Sequence, residues 1–357
     1  RTQHVVTDET WNTRPSPSQL VGRWNFRFFG GELYDANREL ANWAEASLDD
    51  ADWKPAVTFT PQLALSADNV EPNREIVALA PESITEPRPG EYVIDCGKVF
   101  TGWVELKIRG AQPGDRIELA FSERADAAMT HNERSTYIVG PSGSGVFQNR
   151  FNYSTARWIT IKGLRQKPSP GDLLPHLVRN SFDPAPRFES SNALLNQIHA
   201  TTLWTLESLA LGGYLVDCPQ RERMGYGGDA HATTTTALYH FRTGAFFTKW
   251  AQDWRDVQGN SASWGVDKKA GELGATTAEN GNLPYTAPTY WGGGGPAWSG
   301  YCVHLPWEMF QFYGDRRLLA DSLPTIRRWL TFLESKSKEN ILRRWGGEWD
   351  FLGDWLW

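Results

Sequence analysis

The sequence predicts a multidomain chain in which N-terminal β-sandwich domains give way to a helical domain, and three observations carry that prediction. Between residues 91 and 161 apolar and polar residues alternate in short runs separated by Gly or Pro-Gly turns, the period of strands with one buried face. After Pro184 and Pro186 the apolar residues recur at three- and four-residue spacing, as in amphipathic helices. Between the first two helical patterns lies a Pro- and Gly-broken segment, Asp217-Cys218-Pro219-Gln220-Arg221-Glu222-Arg223-Met224-Gly225-Tyr226-Gly227-Gly228-Asp229-Ala230-His231, where three carboxylates and two arginines crowd together.

From about residue 21 to 86 the text is short and strand-like, at 24–29 and 46–56, and Pro81, Pro87 and Pro89 mark a linker. Strands are expected at 92–95, 102–108, 116–121, 136–139 and 157–161. Short strands at that spacing make a β-sandwich. Glu123, His131 and Glu133 sit among them, either as a metal cluster or as acids of a solvated loop. Helices are expected near 189–211, 229–243, 245–257, 301–313 and 316–335, the first from Leu194, Leu195, Ile198, Leu203, Leu206, Leu209 and Leu211. The resulting boundaries are 1–86 for an accessory sandwich, 87–180 for a second sandwich and 181–357 for the helical domain.

The acidic segment thus lies where one helix ends and the next begins. Charges there can face a cavity without interrupting a helix, and free backbone N–H groups at the helix start favour an anion. Two readings stand side by side. Asp229 is an N-cap, Asp217 closes the preceding helix and Glu222 pairs with Arg221 or Arg223; or the three carboxylates line a site, with Tyr226 and His231 beside them.

Composition excludes several classes of function. A net charge of -6 and a pI near 5.7 give no footprint for nucleic acid or an anionic membrane. No apolar run reaches the ~18 residues that a membrane-spanning helix needs. Cys96, Cys218 and Cys302 are odd in number and far apart, which argues against a disulfide framework or a structural zinc site. Tryptophan, at 18 residues, is in excess. Its apolar faces pack against the C–H faces of sugars as well as within cores.

The string DCPQRERMGYGGDAH resembles the signature of glycoside hydrolase family 78, the bacterial-type α-L-rhamnosidases. That resemblance implies Glu222 as general acid, Asp217 and Asp229 as sugar contacts, and Arg221 and Tyr226 as further substrate contacts. Tyr226 stands where the family usually has Trp, and His231 where Gln is common. The order DCGKVFTGWVELKIRG then FNYSTARWITIKG is similar to the sandwich preceding the family's catalytic domain, and residues 46–56 resemble galactose-binding-like sandwich modules. The helical part then corresponds to about the first half of the family's (α/α)6 barrel of twelve helices.

Within that frame the link 259–300, which carries Trp264, Glu272, Glu279, Asn280, Tyr285, Tyr290, Trp291 and Trp298, is too aromatic for disorder. It either walls the sugar pocket, with Trp291 and Trp298 in contact, or packs on the barrel. Asp354 and Trp355 resemble the family's Gly-Asp-Trp segment near the sugar. The implied reaction is hydrolysis of an α-L-rhamnoside with inversion, needing no cofactor or metal, with the general base on a barrel loop beyond residue 357. The chain is then a piece of a periplasmic or secreted enzyme, inactive alone. Two other readings remain open: a lyase eliminating across a rhamnosyl-glucuronate linkage, with Tyr226 and His231 moving the proton and Arg221 or Arg223 neutralising the uronate, and a non-catalytic carbohydrate-binding protein.

Overall fold

The structure is a computed structural model that describes residues 4–23, 27–60, 65–184, 187–259, 281–289 and 295–342. Ten strands form one continuous sheet: β1 (Ser18–Val21), β2 (Gly31–Asp35), β3 (Asn73–Ala78), β4 (Ser83–Arg88), β5 (Glu91–Ile108), β6 (Arg116–Ser122), β7 (Arg134–Ile138), β8 (Gly145–Gln148), β9 (Ser154–Lys162) and β10 (Leu173–Asn180). The path runs β1-β2-β7-β6-β9-β5-β10-β3, with β4 and β8 also on β5. Only the β2/β7 pair is parallel among these pairings.

The sheet folds over itself at β5. The first half of this 18-residue strand pairs with β4 and the later part of β9, and its second half with β10 and β8. The same alternation holds on both sides of an irregular stretch at 97–102, so Tyr92, Ile94, Cys96, Phe100, Val104, Leu106 and Ile108 are all buried in one core with Ile117, Leu119, Phe121, Ile159 and Ile161. The expected break between 95 and 102 is absent: Gly97, at φ +78, bends the strand instead of ending it.

The structure also redraws the N-terminal part. The Pro81–Pro89 linker contains a hydrogen-bonded strand, β4, which forms a hairpin with β5 across Gly90; Pro87 falls where the register shifts. An X-Pro at such an irregularity deletes no ladder donor. β1 to β4 all join the ten-stranded sheet rather than a sandwich of their own. Outside it, Asn12–Thr13 pairs with Lys54–Pro55, the only strand within 46–56. The reading of 24–29 as a strand lies partly outside the described residues, and 27–29 are not a strand.

Among the described residues six helices follow: α1 (Ala193–Leu209), α2 (Gly227–His240), α3 (Gly244–Asp256), α4 (Pro296–Ser299), α5 (Tyr301–Tyr313) and α6 (Arg316–Lys336). Asn192 caps α1 by accepting from the N–H groups of Leu194 and Leu195, and Asp315 caps α6 through Leu318. Gly314, in the left-handed region at φ +67, ends α5. α5 packs on α2, α3 and α6, around Phe246, Phe247, Trp250, Trp254, Tyr301 and Trp329. α1 instead leans on the sandwich: Trp204 Nε1 donates to the Val99 carbonyl at 2.6 Å, and Arg179 of β10 pairs with Glu207 at 2.9 Å. No helix among the described residues is long and apolar enough to cross a membrane.

Gly102 lies under β10, and a Cβ there would sit 1.9 Å from the His176 carbonyl oxygen. Gly102→Ala is therefore expected to lower stability by about 2 kcal/mol or more. Gly90→Ala, with open space but φ +73, should cost only about 1 kcal/mol. Urea unfolding midpoints of the full-length protein check both.

Candidate active site

A short hairpin, not a direct helix-to-helix turn, delivers the acidic segment. Ala210–Leu211 pairs with Tyr214–Leu215 around Gly212 and Gly213, both at positive φ. The chain then closes on itself. The Asp217 N–H donates to the Met224 carbonyl at 2.9 Å, and the Met224 N–H donates back to Asp217 Oδ1 at 3.0 Å. The Cys218 carbonyl accepts from the N–H groups of Arg221, Glu222 and Arg223 at 3.0, 3.1 and 3.1 Å. Asp217 is thus the base of a tight loop that carries Glu222 at its far side.

Glu222 is held from both sides. The Tyr226 hydroxyl donates to its Oε2 at 2.7 Å, and Arg221 Nη2 lies 2.7 Å from its Oε1. Of the two arginines able to pair with Glu222, Arg221 does so. Burial, then the hydrogen bond to Glu222, drives the Tyr226 phenol well above its ordinary pKa, so it stays a donor. Burial raises the Asp217 carboxyl to about 6, with the charge of Glu222 adding to it. Burial also raises Asp229, and again Glu222 contributes. Burial of Asp217 and Asp229 beside the Glu222 charge is costly to the free protein.

Asp229 is not the N-cap. α2 begins at Gly227, capped by Tyr226, and Asp229 lies in its first turn. There its carboxylate accepts from its own backbone N–H, which opposes the effect of burial on its pKa. The Gly225–Gly227 backbone forms a short ladder with 285–287: the Ala287 N–H donates to Gly225 O at 3.1 Å and the Gly227 N–H to Tyr285 O at 2.9 Å. Tyr226 and Tyr285 are buried together, with Met224 and Trp298 against them. The Trp298 indole covers the helix start so closely that a Cβ on Gly228 would lie 2.5 Å from its ring. The described part of the link 259–300 therefore packs on the site and brings Trp298 beside Tyr226. Trp291, Asp354 and Trp355 lie outside the described residues, as do Trp264, Glu272, Glu279, Asn280 and Tyr290.

Arg223 does not face the acids. At φ +59 it turns away into the sandwich, where Nε donates to Pro219 O (2.7 Å), Nη1 to Asn152 Oδ1 (2.7 Å), and Nη2 to Glu133 Oε1 (3.0 Å) and Tyr153 O (2.9 Å). Its guanidinium lies over the rings of Tyr153 and Phe29, 3.9 and 4.3 Å from their centroids. Glu133 is fully buried and also accepts from the Thr155 N–H at 2.9 Å. It is neither a metal ligand nor a solvated acid, which corrects both readings of the Glu123, His131 and Glu133 group. No group of three or more His, Cys, Asp or Glu positioned for a metal occurs among the described residues. His131, by contrast, is near enough to Arg27 and Arg221 that burial, then their charges, lower its pKa.

His231 sits on the α2 face that meets α5. Its ring stacks on His304 at 4.6 Å and meets Tyr301 edge-on at 5.5 Å. Burial, then His304, lowers its pKa to about 4, so it is a neutral ring at physiological pH.

With this geometry in hand, comparison with known proteins identifies the class. Three family descriptions match consecutive stretches: the α-L-rhamnosidase N-terminal domain at residues 1–77, the bacterial α-L-rhamnosidase concanavalin-like domain at 85–178, and the bacterial α-L-rhamnosidase six-hairpin glycosidase domain at 183–357. The chain belongs to the bacterial α-L-rhamnosidases of glycoside hydrolase family 78. An α-L-rhamnosidase of Streptomyces avermitilis is 32% identical over 343 residues, covering 91% of this chain and 30% of that protein. One of Formosa agariphila is 26% identical over 375 residues, covering 98% and 36%. The solved α-L-rhamnosidase of Dictyoglumus thermophilum superposes with a TM-score of 0.83 at 28% identity, over 96% of this chain and 37% of that one. The Streptomyces avermitilis enzyme complexed with L-rhamnose gives 0.77 at 28% identity, over 87% and 29%. The chain thus spans about a third of the length of these relatives, and its helices are part of the six-hairpin (α/α)6 barrel.

Two predictions follow the electrostatics. Asp217 has a folded pKa above its unfolded value, so its unfavourable contribution is absent below the unfolded pKa near 4 and fully present above pH 6. Asp217→Asn should therefore stabilise the full-length protein by on the order of 2 kcal/mol at pH 7 and by nothing at pH 4, as thermal melts across that range would read. Glu133→Leu strands a buried guanidinium and should destabilise by about 3–5 kcal/mol. Arg223→Met in the same protein should recover part of that loss, and a double-mutant cycle measures the coupling.

Proposed function

We propose that the full-length protein is an inverting α-L-rhamnosidase in which Glu222 is the general acid. The observation that carries this reading is the convergence of Asp217, Glu222 and Asp229 around the Tyr226 hydroxyl on one loop, with Glu222 oriented by hydrogen-bonded contacts to each of its oxygens. Glu222 donates a proton to the glycosidic oxygen as it leaves. Asp217 and Asp229 accept hydrogen bonds from sugar hydroxyls, whose arrival relieves the repulsion that the empty site stores. Arg221 sits beside the same sugar and compensates charge as Glu222 changes its protonation state. Tyr226 and Trp298 offer aromatic faces to the ring's C–H groups, and Trp291, Asp354 and Trp355, outside the described residues, are further proposed sugar contacts.

The general base, by the family resemblance, is a glutamate on a later barrel loop. It must stand roughly 6.5–9.5 Å from Glu222 to leave room for the attacking water. The lyase alternative needs Tyr226 or His231 as base. Tyr226 is committed to Glu222 and pushed to a high pKa, and the His231 ring is packed on His304 and Tyr301. A binding-only protein has no need for an oriented acid beside the sugar contacts. A polysaccharide substrate would place the enzyme in the periplasm or outside the cell.

Glu222→Gln in the full-length protein should lower turnover of a rhamnosyl disaccharide by about 100- to 10,000-fold, with little effect on an aryl rhamnoside whose leaving group needs no proton. Proton NMR in the first minutes of the wild-type reaction should show β-L-rhamnose. An early α-anomer would overturn inversion, and an olefinic uronate signal would make the protein a lyase. Tyr226→Phe should cost about 5- to 10-fold in kcat, the worth of one hydrogen bond.

A further inference from the structure

Away from the acids, the N-terminal region and the sandwich enclose a groove of about 520 Å³ that the proposed chemistry does not use. Three guanidinium groups line it, Arg14, Arg38 and Arg150, together with Tyr34, Trp43 and Trp53. None of the three arginines pairs with a carboxylate among the described residues. The one acid in the lining, Glu39, is hydrogen-bonded to Tyr34, whose phenol burial and Glu39 together push to about 12. In a chain of net charge -6, three guanidinium groups against the single carboxylate of Glu39 on one concave surface are a local reversal of sign.

The aromatic groups are placed for a ligand. Trp43 is 70% exposed and the adjoining Phe151 66%, more open than a core needs. Arg14 lies 5.8 Å from the Trp53 ring centroid and Arg150 5.7 Å from that of Tyr34, so ring faces order two of the guanidinium groups without neutralising them. A guanidinium fork recognises a carboxylate through two parallel hydrogen bonds, and an exposed indole offers an apolar face to a pyranose. The ligand that presents both within one unit is a uronic acid.

The groove is also tied to the catalytic loop. Glu32, itself buried, accepts the N–H groups of Arg150, Phe151 and Asn152 at 2.8, 2.9 and 2.8 Å. That one carboxylate fixes a four-residue turn whose leading residues, Arg150 and Phe151, line the groove. Its trailing residues, Asn152 and Tyr153, grip Arg223.

We infer that this groove is a secondary binding site for a uronate-bearing sugar chain, holding an acidic polysaccharide while its rhamnose ends are cleaved elsewhere; the cleavage half of that statement rests on the function proposed above. The test is calorimetry on the full-length protein at low salt, with L-rhamnose saturating the catalytic pocket. Tetragalacturonate should bind roughly tenfold or more tighter than its carboxyl-reduced neutral counterpart, and tighter than a tetra-aspartate of equal charge. The double variant Arg14→Ala/Arg38→Ala should abolish that preference, and Trp43→Ala should weaken both sugars alike, while turnover of an aryl rhamnoside stays unchanged. Equal binding of the charged and neutral sugars by the wild-type protein, equal binding of the peptide, or a preference that survives the arginine variant would overturn the inference. Absence of rhamnoside turnover by the wild type would count against the proposed enzyme and leave the binding comparison intact.

Discussion

A guanidinium withdrawn from water must find acceptors for its N–H groups, and Arg223 finds four: Pro219 of its own loop, and Glu133, Asn152 and Tyr153 of the sandwich. The acidic loop consequently has no conformation independent of the domain before it. Glu222 precedes Arg223 directly, so the direction of the acid is fixed by a side chain that points the opposite way. Removing either partner of such a pair is costly because the survivor keeps its desolvation penalty with nothing to offset it. Lysine could not substitute, since a point charge cannot meet three acceptors on different elements while lying flat between the Tyr153 and Phe29 rings.

The acids themselves show the opposite balance. Asp217 and Asp229 are crowded against Glu222, where burial, and then the charge of Glu222, disfavour their charged forms. Nothing in folding calls for that arrangement. The tightness of the loop supplies it: reciprocal Asp217/Met224 hydrogen bonds and the convergence of three N–H groups on Cys218 O hold the carboxylates together against their repulsion. Stability lost at the site is supplied by the Arg223 network and by the aromatic packing of Trp250, Trp254 and Tyr301 beneath it.

How much of this was legible follows from which interactions are local. Helix periodicity placed five helices with every end within four residues of the observed one, because an amphipathic stripe is written in consecutive positions. The Asp217–Asp229 segment was legible as a candidate site because its residue mixture serves neither core nor plain surface. Long-range pairing was not legible. β1 to β4 were expected to form a separate module, yet their partners lie as far away as β7 and β10. The aromatic richness of the link 259–300 marked its importance, but the ladder of Tyr285–Ala287 on Gly225–Gly227 is made by backbone atoms, which carry no residue code.

Glu133 is the instructive miss, because its signal was present. In β7 the buried side chains are Ser135 and Tyr137, and the same alternation extended one step in each direction reaches Val139 and Glu133. A carboxylate in phase with the core face of a strand is withdrawn from water and needs donors, which backbone N–H groups supply to Glu32 and which the Thr155 N–H and the Arg223 guanidinium supply to Glu133. The nearest arginines outside the sandwich that lack a structural reason to be where they are belong to the acidic segment. Parity along one strand and an unexplained Arg in a loop some ninety residues on were thus two ends of one interaction. The parity marks Glu133 as a buried acid in need of donors, and the structure shows that Arg223 turns inward to it while Arg221 meets Glu222.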